Sequence, residues 1–219
     1  MSTQTLKYDF IPDLDNPSNV HHIELSMIPA GSSVLDVGCH TGILGAALIE
    51  RNATRVVGID TDVDALNVAH QRLTDTRAVD VERSGWTEQL RDVAGPGFDV
   101  ILFGDVLEHT RDPLPILREA KKLLARGGRI VVSIPNVAHW RVRFGLLGGS
   151  FTYTESGILD RTHLRFFTKQ TARALLHEAG YTIVASDVAG YRLPHWLIRA
   201  LSGLLAIQLV FAATPADAG

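Results

Sequence analysis

A succession of short apolar runs, each stopped by a glycine, a proline or an acid and most followed by a stretch with helical spacing, constrains this chain more than any other feature. Val34–Gly38 (VLDVG) runs into a glycine turn, and residues 43–52 then carry apolar side chains at helical spacing. RVVGID (55–60) leads into DVDALNVAHQRL (62–73), with Asp62 placed to cap that helix. RAVDV (77–81) reads as a weaker strand, and FDVILFGD (98–105) is almost entirely apolar, as expected of a strand covered on both faces. A helix is predicted over 113–128, with cationic residues in its last turns and glycines at its end, followed by the strand RIVVSIP (129–135). Such alternation predicts an α/β fold: a mostly parallel sheet with helices on both faces. No internal repeat or low-complexity segment interrupts it.

The alternation breaks between Asn136 and Thr168, a connection far longer than the usual ~4–6 residues, and this insertion reads as a lid or substrate floor. Thereafter TKQTARALLHEAGY resumes as a helix with Gly180 as its stop, and TIVASDV as a strand. The 219 residues therefore read as a single domain, 1–219, with an N-terminal segment and helix over 1–30 and the insertion over 136–168. Residues 193–213 are apolar enough to suggest a membrane span. His195, Arg199 and Gln208 interrupt them, and Ser202-Gly203 is a turn signal, so a short helix over 195–201 and a buried strand over 205–212 are expected instead.

Twenty-one Lys and Arg against 24 Asp and Glu leave a net charge of −3, which offers no general attraction to nucleic acid. The single Cys39 suits a reducing compartment, and the N-terminus lacks a basic stretch followed by an apolar run. The expectation is a cytoplasmic protein with no integral membrane segment; a homodimer stays open.

In open α/β sheets ligands bind beyond the carboxyl ends of the strands. The dinucleotide fingerprint requires glycine at positions 38, 40 and 43; the chain has Gly38 but His40 and Ile43, so the fingerprint fails twice. Asp60 lies 60 − 38 = 22 residues after Gly38, the distance at which an acid accepts hydrogen bonds from a ribose. A tight turn and a helix cap account for the same residues without a ligand.

VLDVGCHTG, GID, FDVILFGDVLEH and LLARGGRIVVSIPN, in this order, resemble the successive motifs of class I S-adenosylmethionine-dependent methyltransferases over about residues 20–190. The resemblance implies a Rossmann-like seven-stranded sheet whose last strand runs antiparallel, which LAIQLVFAA would supply. It also implies that Gly38 and Gly42 line the amino-acid end of the cofactor with Asp36 beside it, that Asp60 holds the ribose, and that Asp80 faces the adenine amino group. His40 stands where the family usually has glycine. His21 and His22, ahead of the first strand, read either as residues closing over the cofactor or as a partly exposed pair on a helix.

Methyl transfer to a hydroxyl needs alignment and removal of a proton, by a histidine base or with a cation that lowers the hydroxyl pKa. If 105–109 form one helical turn, Asp105, Glu108 and His109 share a face at spacing i, i+3, i+4. Two carboxylates and an imidazole suit Mg²⁺ and tolerate Mn²⁺. DVLEH resembles the metal-binding segment of small-RNA 2′-O-methyltransferases and ubiquinone-pathway O-methyltransferases, which read Glu-x-x-Glu-His; His163 in DRTHLRFFT would supply the later histidine of those families. Asp105 replaces their first Glu with a shorter reach. The metal-free alternatives are Glu108 paired with an arginine and His109 as base or structural donor. His139, just after the fifth strand, is a further candidate base or a loop histidine.

Arg141, Arg143, Arg161 and Arg165 of the insertion either bind an anionic or polyhydroxylated substrate or pair with acids to order the lid. Trp140, Phe144, Phe151 and Tyr153 either stack on substrate or pack the lid against the sheet, the second being expected for at least half. PNVAHWRVRFGLLGG…ILDRTHLRFFT resembles a bacterial branch associated with surface and storage polysaccharides, which implies a saccharide hydroxyl, on a small or oligosaccharide acceptor, as methyl recipient. The alternatives are a phenol or quinone precursor, whose more acidic hydroxyl would depend less on a metal, and a cofactor-binding accessory protein without turnover.

Overall fold

The computed structural model describes residues 13–190 and 193–216; the reading of the first twelve residues as free of a leader lies outside the described residues. The chain runs α1 (Val20–Ser26), β1 (Ser33–Val37), α2 (Ile43–Glu50), β2 (Arg55–Asp60), α3 (Val63–Ala69), β3 (Asp75–Ala78), α4 (Arg91–Ala94), β4 (Phe98–Gly104), α5 (Pro113–Ala120), β5 (Leu124–Pro135), α6 (Trp140–Leu147), α7 (Lys169–Glu178), β6 (Tyr181–Ala189), α8 (His195–Ala200), α9 (Ser202–Leu205) and β7 (Gln208–Pro215).

The seven strands form one sheet in the order β3-β2-β1-β4-β5-β7-β6. β1 pairs in parallel with β2 and β4, β2 with β3, and β4 with β5, while β7 runs antiparallel to both β5 and β6. The antiparallel terminal strand expected of LAIQLVFAA is therefore present, inserted between β5 and β6. Residues 193–213 fold as α8, α9 and most of β7, and no helix among the described residues is long and apolar enough to cross a membrane.

Each central strand is buried on both faces, so two cores form. Leu35, Val37, Ile101, Phe103, Ile130 and Val132 pack with Trp86, Leu117 and Leu176 on the side of α4, α5 and α7. Val34, Val56, Val100, Leu102, Val131 and Val210 pack with Ile23, Leu48 and Leu66 on the side of α1, α2 and α3. Local signals start and stop the helices as expected: Asp62 accepts the backbone N–H groups of Asp64 and Ala65, and Gly180 follows α7 at φ +77°.

Four predicted boundaries move. The helix predicted over 113–128 ends at Ala120, a 3₁₀ turn covers Lys121–Leu123, and β5 begins at Leu124, ahead of the glycine pair. Leu124 pairs with Phe98 across a register shift, and tertiary pairing with β4 overrides the helical pattern there. The third strand starts at Asp75, aligned on Val57 of β2, and α3 ends at Ala69.

Gly97 makes the register shift attainable, since a Cβ there would lie 2.5 Å from the backbone nitrogen of Ala125 at φ +102°. Gly97→Ala is expected to cost about 2–4 kcal/mol in urea unfolding. Gly31→Ala, at φ +80° with open space around it, should cost only about 1 kcal/mol.

Candidate active site at the carboxyl ends of the strands

The turn after β1 carries out what its glycines suggest. Gly38 has φ +70°, and a Cβ on it would meet Val106 at 2.7 Å; Gly42 has φ +74° and caps α2. His40 adopts φ +46°, the left-handed conformation that glycine takes freely. Asp60 holds this turn and the next: its Oδ2 accepts the His40 N–H at 2.8 Å, and its Oδ1 accepts those of Thr61 and Asp62. A carboxylate offers about four lone-pair sites, so Asp60, half-buried, keeps acceptor capacity for a ribose hydroxyl. Asp80 sits in the turn after β3, where it accepts the Glu82 N–H and faces Arg83 at 3.4 Å.

Asp36 is buried, and its Oδ2 has no hydrogen-bond partner. Burial first, then the nearby Glu24 and Asp60 carboxylates, push its pKa up to about 7, against the opposing pull of His21. Asp105 is pushed up to about 6 by burial and then Glu24, opposed by hydrogen bonds from Ser133 and Gln208 and by His21.

The single helical turn expected over 105–109 does not form. Asp105 has φ +52°, and only Leu107–His109 make a 3₁₀ turn. Asp105 is held apart by Ser133, whose Oγ donates to its Oδ1 at 3.0 Å and accepts its N–H at 2.9 Å, and by Gln208, which donates to Oδ2. The expected four-residue metal set is corrected accordingly: Glu108, His109 and His163 come together with ligand atoms within 4.8 Å of one another, and Asp105 is not among them.

The insertion brings His163 there. Its ends are pinned where Val137 donates to the Phe167 carbonyl at 2.9 Å, and its returning arm donates the Leu164 and Arg165 N–H groups to the Glu108 carbonyl at 2.8 and 3.0 Å. The His109 and His163 rings then meet edge to face at 4.8 Å. Glu108 is buried with both carboxylate oxygens unpartnered, and burial, reinforced by Asp105, holds its pKa well above the ordinary carboxylate range. His139 is also buried and caps α6 by accepting the Arg141 N–H at Nδ1; burial, with Arg141 adding to it, lowers its pKa.

Three lid arginines order the lid. Arg143 donates to the Ala138 and Gly203 carbonyls, Arg165 to the Arg111 carbonyl, and Arg161 pairs with Glu155. Arg141 lies over the Trp140 ring. The lid aromatics do not pack against the sheet as expected: Phe144 is 65% exposed, and Trp140, Phe151 and Tyr153 are exposed as well. Phe151 and Tyr153 pack against one another and Phe166 instead. Sequence reasoning missed Glu24, Ser133 and Gln208 as site residues; the spacing of His21 and Glu24, three apart on one helix, was the available signal.

Comparison with known proteins agrees with this architecture. A methyltransferase-domain family profile matches residues 16–186. A ubiquinone biosynthesis O-methyltransferase of Pseudomonas fluorescens SBW25 is 32% identical over 179 residues, 80% of this chain and 74% of that protein. One of Pseudomonas paraeruginosa is 35% identical over 137 residues, spanning 62% of this chain and 58% of the relative. Among solved structures, S-adenosylmethionine-dependent methyltransferases of Mesorhizobium loti (TM-score 0.61, 19% identity, 91% and 99% of the two chains) and Archaeoglobus fulgidus (0.62, 16%, 88% and 90%) share the fold. The chain belongs to the class I S-adenosylmethionine-dependent methyltransferases.

The raised Asp36 pKa has a thermodynamic consequence in the protein without cofactor. The folded state keeps a proton that the unfolded chain, with an ordinary Asp value of about 3.9, has released. Stability therefore falls as pH rises from about 4 to 7 and levels off above. Asp36→Asn should raise the melting temperature at pH 8, by a stabilisation on the order of a few kcal/mol, and the gap should narrow as pH falls and close near pH 4 in calorimetry.

Proposed function

We propose that this chain transfers a methyl group from S-adenosylmethionine to a hydroxyl of a small phenolic or quinone-precursor acceptor, at a divalent cation held by Glu108, His109 and His163. The observation that carries the reading is the meeting of these three side chains beneath the insertion, at the carboxyl end of β4. The names of the relatives favour a phenol or quinone precursor over the saccharide expected from the insertion sequence.

The residues fit a cation. Glu108 has two buried oxygens without a partner, a costly state that a cation would relieve. The Nδ1 atom of His163 lies 3.1 Å from the Ile158 carbonyl, and that of His109 lies 3.3 Å from the Thr162 carbonyl. Donation from Nδ1 to a carbonyl fixes the neutral tautomer with the lone pair on Nε2, the usual arrangement at metal-binding histidines. One carboxylate and two imidazoles suit Mg²⁺ poorly by number alone, so acceptor oxygens and water complete the set for Mg²⁺, whereas Mn²⁺ tolerates the imidazoles readily.

When bound, the cation lowers the pKa of the acceptor hydroxyl, and S-adenosylmethionine supplies the activated methyl group. The chain's own groups do the rest. Glu108 and the two histidines orient the acceptor oxygen, while the Gly38–Gly42 turn, Asp60 and Asp80 hold the donor. Phe151, edge to face with Tyr153 and Phe166, forms with them an aromatic cluster that reaches the His163 ring through Phe166 and supports a planar acceptor. His139 retains only Nε2 for proton transfer, because Nδ1 is committed to capping.

The test is methyl transfer to a panel of catechols and hydroxyquinols beside mono- and oligosaccharides, with and without EDTA. Phenol methylation abolished by EDTA and restored by Mn²⁺ or Mg²⁺ is the expected result. Glu108→Ala and His163→Ala should each lower turnover at least ~100-fold while S-adenosylhomocysteine affinity stays within about threefold. Transfer to phenols unaffected by EDTA would remove the cation and leave His139 or His109 as base. Transfer confined to saccharides would overturn the acceptor, and cofactor binding without transfer to any acceptor would favour the accessory role.

A further inference from the structure

On the sheet face covered by α1, the apolar rows end in polar residues toward the carboxyl edge. The register aligns Val34 with Val100 and Asp36 with Leu102. Asp36, Gly104, Ser133 and Gln208 then share that face, because side chains alternate along each strand. Gly104 has no side chain where α1 crosses: a Cβ there would lie 3.1 Å from Glu24 Oε1. The missing side chain leaves room for the Glu24 carboxylate to lie over the strand end.

Glu24 is fully buried, and its Oε2 sits 2.9 Å from His21 Nδ1. Its Oε1 has no hydrogen-bond partner, and neither has Asp36 Oδ2. The Asp105 oxygens, by contrast, are both taken, by Ser133 and Gln208. Among the described residues no lysine or arginine forms an ion pair with Glu24, Asp36 or Asp105; the one basic partner is His21. Two buried carboxylate oxygens on the sheet face beneath α1 are thus without a hydrogen-bond donor among the described residues, a costly state that a bound cationic donor would relieve.

We propose that Glu24 of α1, acting with Asp36, binds the α-ammonium group of the cofactor's methionyl moiety, and that His21 positions Glu24 for it. This rests on the S-adenosylmethionine reading. Of the two cationic centres in that cofactor, the sulfonium has no N–H or O–H to donate, whereas the ammonium carries three donors to match the unpartnered oxygens. The site thereby extends the donor pocket to a helix that precedes β1 and lies outside all four strand-end motifs.

The proposal is tested by titration calorimetry with three ligands: S-adenosylhomocysteine, its analogue lacking the α-amino group, and 5′-methylthioadenosine, which lacks the whole amino-acid part. The wild-type protein should bind S-adenosylhomocysteine at least ~10-fold more tightly than the deaminated analogue. Glu24→Gln should weaken S-adenosylhomocysteine by a similar factor and leave methylthioadenosine within about twofold. A wild-type protein that binds the deaminated analogue as tightly as S-adenosylhomocysteine overturns the proposal, whether or not the variant folds. Equal losses for S-adenosylhomocysteine and methylthioadenosine in Glu24→Gln, or no loss for either, also overturn it, because the residue would then be structural or irrelevant. If the wild-type protein binds none of the three ligands, the methyltransferase reading itself fails, an outcome separate from those above.

Discussion

The carbonyl oxygen of Glu108 accepts two backbone N–H bonds, from Leu164 and Arg165, and the meeting of Glu108, His109 and His163 depends on that one atom. The short turn after β4 and the return of a thirty-odd-residue insertion are far apart in sequence, and these bonds make them a single structural unit. They set His163 against His109 and shut Glu108 away from water. Both bonds use main-chain atoms, so the anchoring of the arm takes no atom from the side chains of Glu108, His109 and His163. A side-chain tether would have consumed one of the groups it was meant to deliver.

Burial without compensation is the second constraint. Glu24, Asp36, Asp105 and Glu108 lie near enough to one another to interact electrostatically, and each but Asp105 has at least one buried oxygen without a partner. Desolvation is the leading cause of the raised pKa at Asp36, Asp105 and Glu108, with neighbouring carboxylates reinforcing it. A fold gains nothing in stability from such an arrangement, since an apolar side chain at any of these positions would cost less. Asp105 stands between the two halves. Its left-handed backbone turns the chain away from β4, and its bonds to Ser133 and Gln208 tie that turn to β5 and β7.

Much of the fold is legible in the sequence because a doubly covered parallel strand leaves a continuous apolar run and its turn leaves a glycine or an acid. VLDVG, RVVGID and FDVILFGD show this, and the polar residues that follow them form most of the site. The rest depends on tertiary pairing. Lys121–Leu124 has helical composition, yet pairing with β4 draws Leu124 into β5. Asp105 reads as the first residue of a helical turn, and only the folded neighbours Ser133 and Gln208 reveal why it adopts positive φ instead. Glu24 is hidden for a similar reason: a glutamate on a short helix is ordinarily solvated, and nothing local announces that a glycine on β4 opens a space beneath it.

The exposed aromatics of the insertion follow from the same division of labour. A lid that packed Trp140, Phe144, Phe151 and Tyr153 onto the sheet would gain burial energy, but it would have to cover the carboxyl edge to do so. Here main-chain pinning at Val137–Phe167 and Glu108–Arg165, with Arg143 and Arg165 donating to carbonyls, orders the insertion at its ends and arm. The aromatic rings are then not needed for stability and remain at the rim, in contact chiefly with one another. Hydrogen bonds thus hold the insertion in place of hydrophobic packing, and its aromatic surface remains exposed.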